Sequence, residues 1–220
     1  MSKKKSATKT TTTRQKKTSK KKPSGSGRPS ANYPRQSSNN ALRIPQAILD
    51  QNAGRDCTDL QAAQFLGLST AKGPFAVEIS SGIKYGFLSR PSSGKLAITD
   101  LARQIVKPKS PDDITDGHQK AVLNAPTISD AYLHYRGENL PDRQFFNNAI
   151  EDEFNVPKDK VLEFKAIFTQ CLEAANLIQE HDGRIRVLHS ASTANTEQKQ
   201  DERIQKISEG VSHIPQVLGR

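Results

Sequence analysis

The first forty residues of the chain contain almost no apolar side chains and no acidic ones. They carry 12 Lys or Arg and no Asp or Glu. A segment of this kind cannot offset its conformational entropy by burying apolar surface. The sequence therefore predicts a disordered polybasic tail over residues 1–40 and a fold that begins near Ala41.

This tail accounts for the positive charge of the protein. The formal net charge of the 220 residues is +10, but residues 41–220 carry 21 basic and 23 acidic side chains, a net charge of −2. Closely spaced Lys and Arg neutralise phosphate groups without requiring a fold, so the tail predicts binding to polyanions. A solubilising tail or a nuclear-localisation signal is the alternative interpretation. The predicted phosphate contacts in the tail are Lys3, Lys4, Lys5, Lys9, Arg14, Lys16, Lys17, Lys20, Lys21, Lys22, Arg28 and Arg35.

Cysteine content and hydropathy indicate a protein of a reducing compartment. Cys57 and Cys171 are the only cysteines, and their spacing matches neither a metal site nor a disulfide framework. No apolar run is long enough to span a bilayer. We therefore expect no membrane partner and a cytoplasmic location, associated with the nucleoid in a prokaryote or nuclear in a eukaryote.

Residues 41–108, called the first unit below, alternate apolar helical periods with turn residues. Apolar side chains three or four positions apart indicate amphipathic helices, and Thr58 with Gln61 has the form of a capping box. Short runs on either side of a Pro-Ser-Ser-Gly turn indicate a β-hairpin. The predicted elements are helices over 44–53, 58–66 and 74–85, a hairpin over 87–98 and a closing helix over 99–107.

Residues 109–190, called the second unit below, show the same order again after a linker around 107–113. The pair Asp182-Gly183 favours a tight turn between two strands, with Ile185 and Val187 facing inward. Residues 191–220 are predicted to be a polar tail with at most one short helix. The fold class predicted is mainly α with small β-hairpins, or α+β. The second-unit elements predicted are helices over 127–136, 141–150 and 157–175 and a hairpin over 177–187.

Three helices followed by a hairpin resemble the winged-helix architecture. The resemblance is carried by 73–88 and 94–99, covers the first unit well and covers 113–190 more loosely. The whole core is also similar to prokaryotic tandem winged-helix proteins of unassigned role. The resemblance implies two winged-helix units in tandem after a disordered basic tail. It places recognition helices at 74–84 and 157–175 and wings at 90–95 and 180–184.

The charges depart from those of a typical DNA reader. The first implied recognition helix is expected to expose mainly Glu78, Ser80, Ser81 and Lys84. The second unit holds nine basic and fourteen acidic side chains, so phosphate should repel it unless its charges are segregated. Winged helices also serve as protein-binding modules, since a fold alone does not establish a function.

Basic residues of the two implied wings are candidate phosphate contacts, although solvated hairpin positions would look the same. Arg184 and Arg186 are the candidates in the second unit. The predicted nucleic-acid contacts of the first unit are Lys84, Arg90 and Lys95.

No residue pattern points to catalysis. The sequence contains no phosphate-cradling glycine loop after a strand and no nucleophile motif. The histidines have no metal-site spacing and are expected to be surface or partly buried residues. We therefore expect no enzyme activity, no cofactor and no metal. The five histidines are His118, His134, His181, His189 and His213.

The preferred hypothesis is a non-enzymatic nucleic-acid-associated protein, with DNA favoured over RNA. The tail would supply phosphate affinity, and the two units would supply shape or partner selectivity. The alternative is a protein–protein interaction adaptor. In that case the acidic second unit docks a protein, and the tail serves solubility or localisation.

Overall fold

The part of the chain that the computed structural model describes, residues 32–190, is mainly helical with two small antiparallel two-stranded sheets. This confirms the predicted class at the level of α+β. The predictions for the polybasic tail up to residue 31 and for the polar tail 191–220 lie outside the described residues.

The predicted elements of the first unit are confirmed. In α3 the backbone N–H of Gln61 donates to Thr58 Oγ1 at 3.2 Å, and the Thr58 N–H donates to Gln61 Oε1 at 2.8 Å, which completes the capping box. The elements are α1 (Ser38–Ala41), α2 (Arg43–Asn52), α3 (Asp59–Phe65), α4 (Pro74–Lys84), β1 (Leu88–Ser89), β2 (Ala97–Ile98) and α5 (Asp100–Val106).

The predicted helices and hairpin of the second unit are also confirmed. Asp182 and Gly183 adopt φ of 50° and 71°, the left-handed values that a tight hairpin turn of this type requires. A 3-10 turn, Lys158–Lys160, precedes α9. The elements are α6 (Pro111–Asn124), α7 (Ile128–Tyr135), α8 (Arg143–Asp152), α9 (Val161–Ala174), β3 (Ile178–His181) and β4 (Arg184–Val187).

In each unit, one residue outside the hairpin forms an isolated β-bridge with it, and the two bridges have the same topology. Cys57, between α2 and α3, forms an antiparallel bridge with Leu96, next to β2. Asn139, between α7 and α8, forms an antiparallel bridge with Arg186 in β4. In both units, therefore, a residue between the first and second of the three helices that lead into the hairpin pairs with the second hairpin strand.

Helix α6 was not predicted, because its buried face is made of small and polar residues. Gly117, His118 and Ala121 are buried there instead of large aliphatic side chains. A methyl group on Gly117 would collide with Ile105, so the glycine permits close packing of α6 on α5. The missed signal was the helix start at Ser110-Pro111, where the Asp113 carboxylate accepts the backbone N–H of Ser110 at 3.0 Å.

The packed chain begins upstream of the change in composition at Ala41. Tyr33 is 2% exposed, and α1 buries Ser38 and Ala41. Apolar content alone does not reveal this segment, because one tyrosine and small polar residues fill the space.

Two apolar clusters form the core of residues 32–190. The smaller cluster lies within the first unit and includes Ile44, Ile48 and Phe75. The larger cluster joins the helices of the second unit to Tyr85 and Phe87 of the first. The two units therefore share apolar packing.

Candidate nucleic-acid interface

Eleven of the fifteen predicted nucleic-acid contacts lie in residues 1–31, outside the described residues, and their role stays a prediction. The other four are Arg35, Lys84, Arg90 and Lys95. The structure brings Arg35 and Lys84 together near the N-terminal end of the described chain, and it places Arg90 and Lys95 at the first hairpin.

Residues 33–37, called the linking segment below, lie between α4 and α9, the helices that directly precede the two hairpins. The Tyr33 ring meets the Phe164 ring of α9 edge-on, with centroids 5.1 Å apart. On the α4 side, Lys84 Nζ donates to the Tyr33 carbonyl at 2.9 Å, and the Arg35 N–H donates to Ser81 Oγ at 3.1 Å. The end of the basic tail is thus joined covalently to a point between α4 and α9.

Arg35 forms the principal ion pair of the linking segment. Its Nε donates to Glu163 Oε1 at 2.7 Å, and Lys160 Nζ donates to Glu163 Oε2 at 3.1 Å. The hydrogen bond from Arg35, followed by that from Lys160, holds the pKa of Glu163 below its usual range. The acidic residue near the start of α9 is therefore compensated by two cations.

The expectation that α4 exposes Glu78 and Ser81 is wrong. Both are buried, because α4 packs against α1 and against the linking segment. Arg43 supplies both hydrogen bonds of a bidentate pair to Glu78, at 2.9 and 2.8 Å. A buried carboxylate with a fork of donors is satisfied within the fold, so Glu78 is not presented to a ligand.

The outward positions of α4 are uncharged. They are occupied by Ala76, Ser80 and Ile83, and Ile83 is 38% exposed although its spacing predicts a core position. Lys84 is half-buried, and burial, followed by the charge of Arg35, lowers its pKa. The outer surface of α4 therefore has little to offer to phosphate groups.

The other two predicted contacts lie at the first hairpin, where one is paired with a carboxylate and the other is exposed. Arg90 donates to both carboxylate oxygens of Asp59, each at 2.9 Å. Lys95 is exposed on the other side of the turn. Of the first-unit candidates, Lys84 and Arg90 already donate to partners within the fold.

A second set of cations lies on α8, on α9 and in the turn before α9. Arg143 is the first residue of α8, Lys158 lies in the turn before α9, and Lys165 lies on α9 with Nζ 5.5 Å from the Phe146 ring centroid. Partial burial, followed by the charge of Arg143, lowers the pKa of Lys165. Among the described residues none of these three cations forms an ion pair.

We call these three cations, together with Arg35 and Lys160, the α8–α9 patch. Arg35 and Lys160 are paired with Glu163, whereas the other three cations form no ion pair among the described residues. The patch therefore contains three cations whose charge is not compensated by an ion pair within the described part of the second unit.

Reasoning from sequence did not find the patch, although its lysines near α9 were visible. Arg35 and Glu163 are 128 positions apart, so no local pattern indicates that one compensates the other. The nearness of Arg143 to Lys165 likewise depends on how α8 packs on α9.

The expectation that every histidine is at the surface or only partly buried is wrong for His118. It is 3% exposed, its Nδ1 lies 3.2 Å from Ser38 Oγ, and burial lowers its pKa. Nearby in the same core, Tyr85 Oη lies 3.0 Å from Cys171 Sγ, and burial raises the pKa of that thiol. A protonated, buried thiol is a packing group rather than a nucleophile.

In residues 32–190 no three His, Cys, Asp or Glu side chains come together as a metal site. None of the described helices is both long and apolar enough to cross a membrane. Comparison with known proteins finds no matching family model, no similar curated protein and no similar solved structure. Function is accordingly inferred from the residues of this chain.

Proposed function

We propose that the protein is a non-enzymatic, nucleic-acid-associated protein that favours DNA and contains two winged-helix units behind a basic tail. The observation that carries the proposal is the repeated topology. In each unit three helices lead into a hairpin, and a residue between the first two of them bridges to the second strand. This order supports the winged-helix assignment, in which the third of these helices, α4 or α9, occupies the recognition-helix position.

The tail supplies non-specific phosphate affinity in this proposal. The described fold begins between α4 and α9, so the twelve basic residues of 1–40 are joined to the chain beside both helices. Binding by clustered Lys and Arg releases counterions and does not depend on base sequence. Lys95 is the exposed first-unit contact, while Lys84 and Arg90 must contact phosphate without losing their partners in the fold.

A binding comparison tests the proposal. Fluorescence anisotropy would measure the full chain, and a chain that begins at Asn32, with duplex DNA, RNA and a neutral polysaccharide. The proposal expects the full chain to bind DNA at low salt, to ignore the neutral polymer and to lose most non-specific affinity when residues 1–31 are removed. A full chain that binds neither DNA nor RNA contradicts it.

One observation favours the second candidate function, a protein–protein interaction adaptor. The outer face of α4 is uncharged and includes the partly exposed Ile83, which suits a protein surface better than a phosphate backbone. If the protein binds neither DNA nor RNA, we expect a protein partner to contact this face of α4. Substituting Ile83→Asp should then abolish that contact.

A further inference from the structure

The charges of the second unit raise the question of whether it repels nucleic acid, as its composition suggests. Its net charge over residues 109–190 is −5. The α8–α9 patch differs from this average, because Arg143, Lys158 and Lys165 form no ion pair among the described residues. Glu163 of α9 is compensated by Arg35 from the linking segment and by Lys160.

Three cations of the patch are available to an external partner: Arg143, Lys158 and Lys165. Arg143 and Lys158 are exposed, and Lys165 lies over the face of Phe146, which orients its ammonium group without neutralising it. Lys165 Nζ lies 5.5 Å from the ring centroid of Phe146, one turn along α8 from Arg143, and the charge of Arg143 helps to lower the pKa of Lys165. Such a cluster of like charges is stabilised by a polyanion.

The position of the patch along the chain adds a second argument. Tyr33 packs on Phe164 of α9, and Arg35 pairs with Glu163 of the same helix, so the polybasic tail is joined to the fold beside the patch. Because the basic residues of the tail and those of the patch have the same sign of charge, one polyanion can compensate both.

We infer that the α8–α9 patch contacts the phosphate backbone of duplex DNA through Arg143, Lys158 and Lys165, continuing the contact made by the tail. This inference rests on the proposed function and assigns backbone contact to the second unit. The linking segment contributes by holding Arg35 against Glu163, which keeps that carboxylate from repelling phosphate.

A charge-matched pair of variants of the full chain tests the inference. The patch variant is Arg143→Gln, Lys158→Gln, Lys165→Gln, and the control variant is Arg55→Gln, Lys107→Gln, Lys109→Gln. Each removes one arginine and two lysines, and the three control residues are exposed in the described structure. Anisotropy with a short labelled duplex of random sequence would be measured over a salt series.

The patch variant should bind more weakly, and its slope of log K against log salt should be shallower than that of the parent by about 2 to 3, because each phosphate contact contributes about 0.9. The control variant should keep the parental slope within about 1. Equal effects of the two variants, with a parent that binds, overturn the inference and leave the proposed function standing. A parent that does not bind DNA overturns both.

The Lys165→Gln substitution could itself destabilise the fold, because Lys165 is half-buried against Phe146. A second variant without that substitution therefore keeps the test decisive. If the patch variant melts below the parent, Arg143→Gln with Lys158→Gln alone, both at exposed positions, replaces it. The slope should then be shallower than that of the parent by about 2. An unchanged slope in this folded double variant also overturns the inference.

Discussion

Phe145 and Phe146 are neighbours in sequence with opposite surroundings. Phe146 is 1% exposed and packs against Phe168 at 5.9 Å and Tyr135 at 5.5 Å between ring centroids, whereas Phe145 is 63% exposed. Successive residues of a helix point about 100° apart, so only one of the pair can face the core. The aromatic cluster thus depends on which face of α8 turns toward the core as well as on the residues that α8 contains.

The first prediction at this scale concerns Phe168, which is fully buried and stacks on Phe164 at 6.0 Å. Phe168→Ala should lower the free energy of unfolding by about 3–5 kcal/mol, because a buried aromatic leaves a cavity. Phe145→Ala is the matched control and should change it by less than about 0.5 kcal/mol. Urea unfolding measures both, and similar losses in the two variants would contradict the packing described.

The second prediction concerns the dependence of the free energy of unfolding on pH. Burial lowers the pKa of His118 from 6.5, so the folded protein resists the proton that the unfolded chain takes up as the pH falls below 6.5. The unfolded state then binds more protons, and stability should fall as the pH drops from about 7 to about 5. Urea unfolding across this range should show a weaker pH dependence for His118→Gln. Matching curves for His118→Gln and the parent would show that His118 does not contribute.

At the scale of elements, the sequence predicted those helices and hairpins that carry strong local signals. Thr58 with Gln61 begins α3, Pro74 begins α4, and Asp182-Gly183 turns the second hairpin. The elements that were missed lack a large apolar face. Helix α6 buries a glycine and a histidine, and the two added bridges are single residue pairs that no alternating pattern marks.

The packing of the linking segment was also not predicted, because its contacts join residues that are far apart in the sequence. The Tyr33 ring packs against Phe164, and Arg35 forms an ion pair with Glu163, 128 positions along the chain. From sequence, the candidate interface was predicted only for the tail and for Lys84, Arg90 and Lys95 of the first unit, and the cations of α8 and α9 were not included. Their arrangement into a patch depends on contacts that only tertiary packing creates.

This segment leads to the third prediction. A chain that begins at Asn32 should melt like the full chain, because it keeps Tyr33 and α1. A chain that begins at Ala41 loses a buried aromatic and the Arg35 ion pair, and its free energy of unfolding should fall by about 3 kcal/mol or more. Calorimetry compares the two, and equal melting temperatures would show that residues 32–40 do not stabilise the fold.

At the scale of the whole molecule, charge is arranged in blocks. Residues 1–40 carry +12, whereas residues 41–220 carry a net charge of −2 and residues 109–190 a net charge of −5. The larger core includes residues of both units and so holds the patch in place relative to the start of the fold.

The dependence of DNA binding on salt tests this account most directly. If half of the twelve basic residues of 1–40 meet phosphates, log K for the full chain on random duplex DNA should fall against log salt with a slope of about −5 or steeper. A chain that begins at Asn32 should keep the contributions of the patch and of the first-unit contacts, with a slope shallower than that of the full chain by about 5. A full chain with no detectable binding at low salt, or with an affinity that salt does not change, would contradict the account.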